Sequence, residues 1–280
     1  MIRLTNYSLY SLRSLTAALA IVLFGASLSS PASAADKIAA KQGPPIRALL
    51  VIGGCCHDYA KQKDILTKGI SARANVEWKI AYDPDNGVKH KNPVYDNADW
   101  AKGFDVVVHD ECSSDVKDQE TIDAILKPHR EGLPGVLLHC GMHSYRGEGY
   151  PKKTAWFDFS GLATTGHGPQ LPIAVTFTDG EHPITKGLGD WTTINEELYN
   201  NAADKLEDTA KALARGKQTI KQGDKETVVD AVVAWTNTYN GKTKVFATTL
   251  GHNNETVADD RYLDLVTRGL LWSVGRLETP

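Results

Sequence analysis

Apolar and polar positions fall into blocks with two different periods. Uninterrupted apolar runs at residues 47–52 (RALLVI), 105–109 (DVVVH) and 136–139 (VLLH) predict strands buried on both faces, as in the middle of a parallel sheet. Residues 76–82 (VEWKIAY) alternate as a half-buried strand, which Asp83-Pro-Asp-Asn-Gly87 breaks. Helices are expected from Tyr59 to Ala72 and from about Lys117 to Arg130, the second stopped by Gly132-Leu-Pro-Gly135. Strands alternating with helices imply crossover units, hence a parallel sheet with helices on both faces. The second half is less regular. Ile173–Phe177, Ala231–Trp235 and Lys244–Thr249 read as strands, Lys211–Asp230 as a hairpin on the rim, and Asp260–Ser273 as a closing amphipathic helix.

The N-terminus has a different pattern. Arg3 and Arg13 occur with no acid, followed by an apolar run from Leu15 to Ala26 and the small triplet Ala32-Ser33-Ala34. That order predicts a secretory signal peptide over residues 1–34, cleaved near Ala34, because the apolar run is shorter than the roughly 20 residues a bilayer requires. The expected address is periplasmic or secreted, with no membrane attachment after cleavage. Residues 35–45 read as a flexible lead-in and 46–280 as one α/β domain. Removing Arg3 and Arg13 leaves 29 Lys and Arg against 34 Asp and Glu, scattered together along the chain. No basic face exists for a polyanion, so nucleic acid is excluded as a partner.

Ligands in open parallel sheets bind beyond the carboxyl ends of the strands. Here those ends carry Cys55-Cys56-His57-Asp58, His109-Asp110-Glu111-Cys112 and His139-Cys140-Gly141-Met142-His143. Imidazole, carboxylate and thiol thus converge on one rim. His57 follows a Gly-Gly turn; His143 opens the segment after the fourth strand, where backbone N–H groups can hold an anion. His167 and His252 adjoin glycines in loops, and Glu111 and Glu197 are the carboxylates expected to move protons. The expected catalytic set is His57, Glu111, His143 and Glu197, with Asp58, Tyr145, His167 and His252 contacting substrate. His57, His143 and His252 form a tentative ligand set for a divalent metal such as zinc, although no HExxH motif is present. His139 is balanced between rim and interior, His182 reads as a structural turn residue, and His90 and His129 as solvated.

All four cysteines lie at these strand ends. Adjacent strands bring such positions within the roughly 4.4–6.8 Å Cα separation of a disulfide. At least one bridge including Cys112 is expected, to Cys56 or Cys140. A Cys55–Cys56 bridge is less favoured because neighbours must distort their shared peptide. If Cys140 were free it could act as a nucleophile with His139, His143 or His167 as base.

Gly53-Gly54 with His57-Asp58, the segment His139–Ser144, Trp156–Gly161, Gly166-His167, Glu181–Thr185, Glu196–Tyr199, Val233–Trp235 and Phe246–His252 resemble the ThuA-like family in order and spacing from Ile46 to Gly275. The resemblance implies a flavodoxin-like, class I glutamine amidotransferase-like fold: a three-layer α/β sandwich with a mostly parallel central sheet. It also implies a role in using trehalose and related sugars, often as 3-keto-sugars. The expectation is an exported monomer or weak homodimer that processes a small carbohydrate. A non-catalytic sugar-binding protein and a cysteine amidohydrolase using Cys140 are the alternatives.

Overall fold

The first apolar run becomes β1 (Ile46–Gly54), in which every residue except Arg47 is buried. It lies between two parallel neighbours, β2 (Val76–Asp83) and β3 (Val106–Cys112). Helices cover both faces of β1, so residues 48–52 are all apolar. β4 (Gly135–Leu138) and β9 (Thr243–Thr248) extend the parallel array beyond β3. Leu50 and Ile52 pack in one apolar cluster with Leu66 and Ile70 of α1 (Tyr59–Arg73) and Leu265 and Val266 of α5 (Asp260–Ser273). Leu49 and Val51 point the other way, to Ile122 and Ile125 of α2 (Gln119–Glu131) and Trp156 and Phe159 of α3 (Ala155–Ser160). This computed structural model describes residues 38–89, 91–201 and 206–278. The expected signal peptide and His90 lie outside them.

The sheet is not mostly parallel. Its nine strands run in the order β2-β1-β3-β4-β9-β8-β7-β5-β6, and the half made of β5 (Thr164–Phe177), β6 (Trp191–Asn201), β7 (Ala210–Gln222) and β8 (Lys225–Tyr239) is antiparallel. Connection length explains the difference. β7 and β8 are joined through Gly223-Asp224, and β8 and β9 through Asn240-Gly241-Lys242, loops too short for a parallel crossover. The expected rim hairpin at 211–230 is part of the β7–β8 pair, and β6 is an edge strand that its mixed polar sequence concealed.

Residues 38–45, expected as a free lead-in, run beside the C-terminus. Ile38 N–H donates to Arg73 O, Lys41 N–H to Arg276 O, and Ala40 bridges Leu277. No helix among the described residues is long and apolar enough to cross a membrane.

Candidate functional site

Five segments meet beyond the carboxyl end of the parallel strands. The first is the turn after β1, where Gly53 and Gly54 have φ of 145° and 89°. A Cβ on Gly54 would stand 2.3 Å from Cys112 O, so only glycine lets the chain pass the end of β3 and turn His57 inward. The second is a 3-10 turn, His139–His143, directly after β4, with His139 itself in left-handed backbone at φ 42°. The third is the loop after β9, carrying His252. It is anchored by Glu196, which accepts from the backbone N–H groups of His252 and Asn253, and by Gln62, whose amide donates to Gly251 O and His252 O. The remaining two are β5 and β6, where bulges in the register set His167 opposite Tyr199 and Gln170 opposite Glu197.

The centre of the site is an imidazole cluster around one carboxylate. Ring centroids of His57 lie 4.7 Å from both His139 and His252. Glu197 Oε2 is 3.5 Å from His139 Nε2, 3.5 Å from His167 Nε2 and 3.2 Å from His252 Nδ1. His139 is fully buried, whereas His57, His167 and His252 retain exposure, so the cluster opens to solvent on that side. Burial, with the nearby His139 and His252 rings, pushes the His57 imidazole down to about 2, keeping it neutral. Burial opposes ionisation of Glu197, yet its close contacts with His139 and His252 hold it well below the usual carboxylate range. Burial likewise disfavours protonated His252, but its contact with Glu197 outweighs this and raises it. The arrangement therefore provides an ionised carboxylate ringed by imidazoles.

His139 Nδ1 lies 2.7 Å from Thr249 O, which can only accept, so Nδ1 bears the proton and Nε2 presents its lone pair to the cluster. His57 Nδ1, His139 Nε2 and His252 Nδ1 are buried without a hydrogen-bond partner. The 3.2 Å approach of His252 to Glu197 meets the distance for an ion pair but not the direction for a hydrogen bond. Ligand atoms of these three histidines lie within 4.8 Å of one another, making them the histidine group able to hold a cation.

His143, expected in that group, is not in it. Its ring stacks on Tyr199 at 4.5 Å, with Nε2 facing Cys140 Sγ at 3.4 Å and Nδ1 facing Thr164 Oγ1 at 3.5 Å. Glu111, expected to move protons at the rim, is enclosed on the α2/α3 face, where Tyr95 and Tyr145 hydroxyls donate to Oε1 at 2.7 and 2.8 Å. Tyr145 is completely buried by that bond and offers no sugar platform. Asp58 accepts from Asn254 and pairs with Lys61, tying α1 to α4 (Asn254–Val257). His182 Nδ1 accepts from Ile184 N–H, the structural turn role expected of it. His129, expected to be solvated, is fully buried, with Nδ1 donating to Leu133 O and Nε2 3.0 Å from His109 Nε2. Single-residue spacing cannot show that an α-helical histidine faces inward when its neighbours Arg130 and Glu131 are charged.

The cysteines form two bridges, Cys55–Cys56 and Cys112–Cys140, with none free. The Cys112–Cys140 bridge is one of the expected pairings. The adjacent pair, which was disfavoured, is accommodated by a turn that places Cys56 at φ 82°. Cys140 in this form has no thiolate to attack a substrate. Gln170 was not singled out by its sequence context; its amide nitrogen is 2.8 Å from His252 Nε2 and 3.3 Å from Glu197 Oε1.

Helices on both faces of a parallel array, continued by an antiparallel half, define an α/β protein with a large mixed sheet, a fold consistent with the class I glutamine amidotransferase-like kind. More narrowly, the chain belongs to the ThuA family, described as trehalose utilisation, which matches residues 50–273. A ThuA-like protein of Parabacteroides merdae ATCC 43184 is similar in structure, with TM-score 0.62 and 20% identity over 84% of this chain and 92% of that one. One of Bacteroides uniformis ATCC 8492 is similar with TM-score 0.60 and 17% identity, over 83% of this chain and 92% of that one. At these identities the likeness shows the fold. No curated protein matches the sequence.

Proposed function

We propose that the chain is an exported enzyme acting on a small sugar or 3-keto-sugar, with Glu197 moving a proton and the surrounding imidazoles orienting and polarising the substrate's oxygen. The observation that carries this reading is the set of three imidazoles from three elements, His139, His167 and His252, within 3.5 Å of Glu197 Oε2 on a partly open rim. The family description of trehalose utilisation supports the substrate class. A keto group acidifies its neighbouring C–H, so a held carboxylate base suffices for enolisation or elimination.

The test incubates the purified protein with trehalose and its 3-keto derivative in D2O and follows deuterium uptake and cleavage by NMR. Wild type is expected to exchange or cleave the keto-sugar, and Glu197→Gln to slow this by about 10²–10⁴-fold. Sugars that bind but are never altered would make the chain a sugar-binding protein, and sugars that do not bind would overturn the reading. Cys140→Ser and Cys112→Ser open the same bridge and should affect turnover alike; loss on Cys140→Ser alone would favour cysteine chemistry. Protein recovered from the periplasm or medium should begin near Ala35.

A further inference from the structure

We propose that His57, His139, His252 and Glu197 bind one divalent transition-metal ion, whose four-ligand shell can expand to a fifth position on the solvent side for a substrate oxygen. The site is the one in which the preceding section places sugar chemistry, and the inference rests on that placement.

The first reason is the state of the nitrogens. A buried polar atom without a partner carries the full cost of its lost solvation, and three such atoms, His57 Nδ1, His139 Nε2 and His252 Nδ1, occur in one histidine group. A single ion satisfies all three at once. An ion pair between Glu197 and one protonated ring satisfies at most one.

The second is spacing. Ligands about 2.1 Å from a tetrahedral ion stand about 3.4 Å from each other. Glu197 Oε2 is 3.5 Å from His139 Nε2 and 3.2 Å from His252 Nδ1. The widest separation among the three histidines, up to 4.8 Å, closes on that geometry with ring shifts of about an ångström. Three nitrogens and one carboxylate oxygen form a donor set suited to zinc, cobalt, iron or manganese.

The third is support behind the ligands. Metal-bound imidazoles normally donate their other N–H to a carbonyl or similar acceptor. Thr249 O fills that role for His139. Gln170 braces two of the ligands at once, its amide nitrogen lying 2.8 Å from His252 Nε2 and donating to Glu197 Oε1 at 3.3 Å. Glu196 and Gln62 fix the backbone of the His252 loop independently of the ion. The other ligating groups close by, Cys55, Cys56, Cys112 and Cys140, are consumed in disulfides.

The experiment measures metal content of the full chain purified without chelator, then titrates chelator-stripped protein with Zn²⁺ and Co²⁺. Wild type is expected to take up about one equivalent, gain thermal stability on binding, and show visible Co²⁺ absorption characteristic of nitrogen and oxygen ligation. His139→Ala and the partly exposed His252→Ala should each weaken Co²⁺ binding by at least about 100-fold. His143→Ala should still bind one equivalent. If His139→Ala fails to fold, His252→Ala decides alone. The proposal is overturned if folded wild type binds no zinc, cobalt, iron or manganese at micromolar free ion, or if His252→Ala binds as wild type does. Keto-sugar turnover by a wild type that takes up no metal would refute the metal while leaving the sugar reading intact. Stoichiometric metal with no sugar bound would do the reverse.

Discussion

Buried imidazoles in this protein differ in what their second nitrogen meets. In the site, one nitrogen is anchored or exposed and the other is left without a partner. On the opposite face every nitrogen is used: Leu133 O fixes the proton on His129 Nδ1, so His129 Nε2 accepts from His109 Nε2–H, and His109 Nδ1 faces Glu111 Oε1 at 3.0 Å. Burial, then the neighbouring His109, pushes His129 down to about 3. With the folded value below the unfolded one of about 6.5, the unfolded chain binds more protons between these limits. Stability is therefore complete above about pH 6.5 and falls as pH drops toward 3. His129→Gln, which retains a donor for Leu133 O, should remove a few kcal/mol of that loss between pH 7 and pH 4, read from urea midpoints. An unchanged pH dependence in the variant would refute the assignment. Gly54→Ala tests the turn, since its Cβ would meet Cys112 O in left-handed backbone. A cost of about 3 kcal/mol or more is expected in thermal unfolding, and a cost below 1 kcal/mol would show that the turn yields. The residue types of the rim were legible because strand ends can be read from apolar runs. Glu111 and Asp110 show the limit: successive residues of a strand face opposite ways, and the side that opens to solvent depends on helices packed from elsewhere in the chain.

At the scale of elements, the ends of β3 and β4 are held together covalently. Cys112–Cys140 closes a separation of 28 residues, and cross-linking a loop of that size stabilises by about 3–4 kcal/mol in the chain-entropy model. Reduction should therefore lower Tm by about 10 °C for a domain of this length, and the Cys112→Ala/Cys140→Ala pair should reproduce most of the drop. An unchanged Tm with all four thiols open to alkylation would show that the bridge contributes nothing. The turn carrying His139 begins at this bridge, so reduction should also loosen the imidazole cluster. Elements with one strong pattern, β1, β3, α2 and α5, were readable to within a few residues, and α1 was placed by the turn before it and the strand after it. β6 was not, because Trp191–Asn201 is an edge strand with polar residues on both faces. That strand supplies Glu196 and Glu197, so Glu197 could be named from the sequence but not placed beside His252, and the anchoring role of Glu196 was not foreseen.

For the whole molecule, alternation of strand and helix identified the parallel half, and the short turns at Gly223-Asp224 and Asn240-Gly241 contained the information that the other half had to be antiparallel. The number of antiparallel strands was missed because β5 and β8 extend well beyond their apolar centres into polar sequence. The two halves are nevertheless one packing unit. The apolar cluster under α1 and α5 joins Leu50, Val108 and Phe246 of the parallel strands to Ile173, Leu213 and Val233 of the antiparallel ones. The cluster on the other face likewise joins Val107 and Leu137 to Trp235 and Tyr239. Neither half can open without exposing apolar surface of the other, so their stabilities are coupled on both faces of the sheet. Calorimetry of the chain with its disulfides intact should show one transition whose calorimetric and van't Hoff enthalpies agree. Phe159→Ala, placed under the α2/α3 face, should shift that whole transition downward by about 3–5 kcal/mol rather than split it. Two resolved transitions in wild type, or a variant that melts one half while circular dichroism of the other persists, would show that the halves are separate folding units.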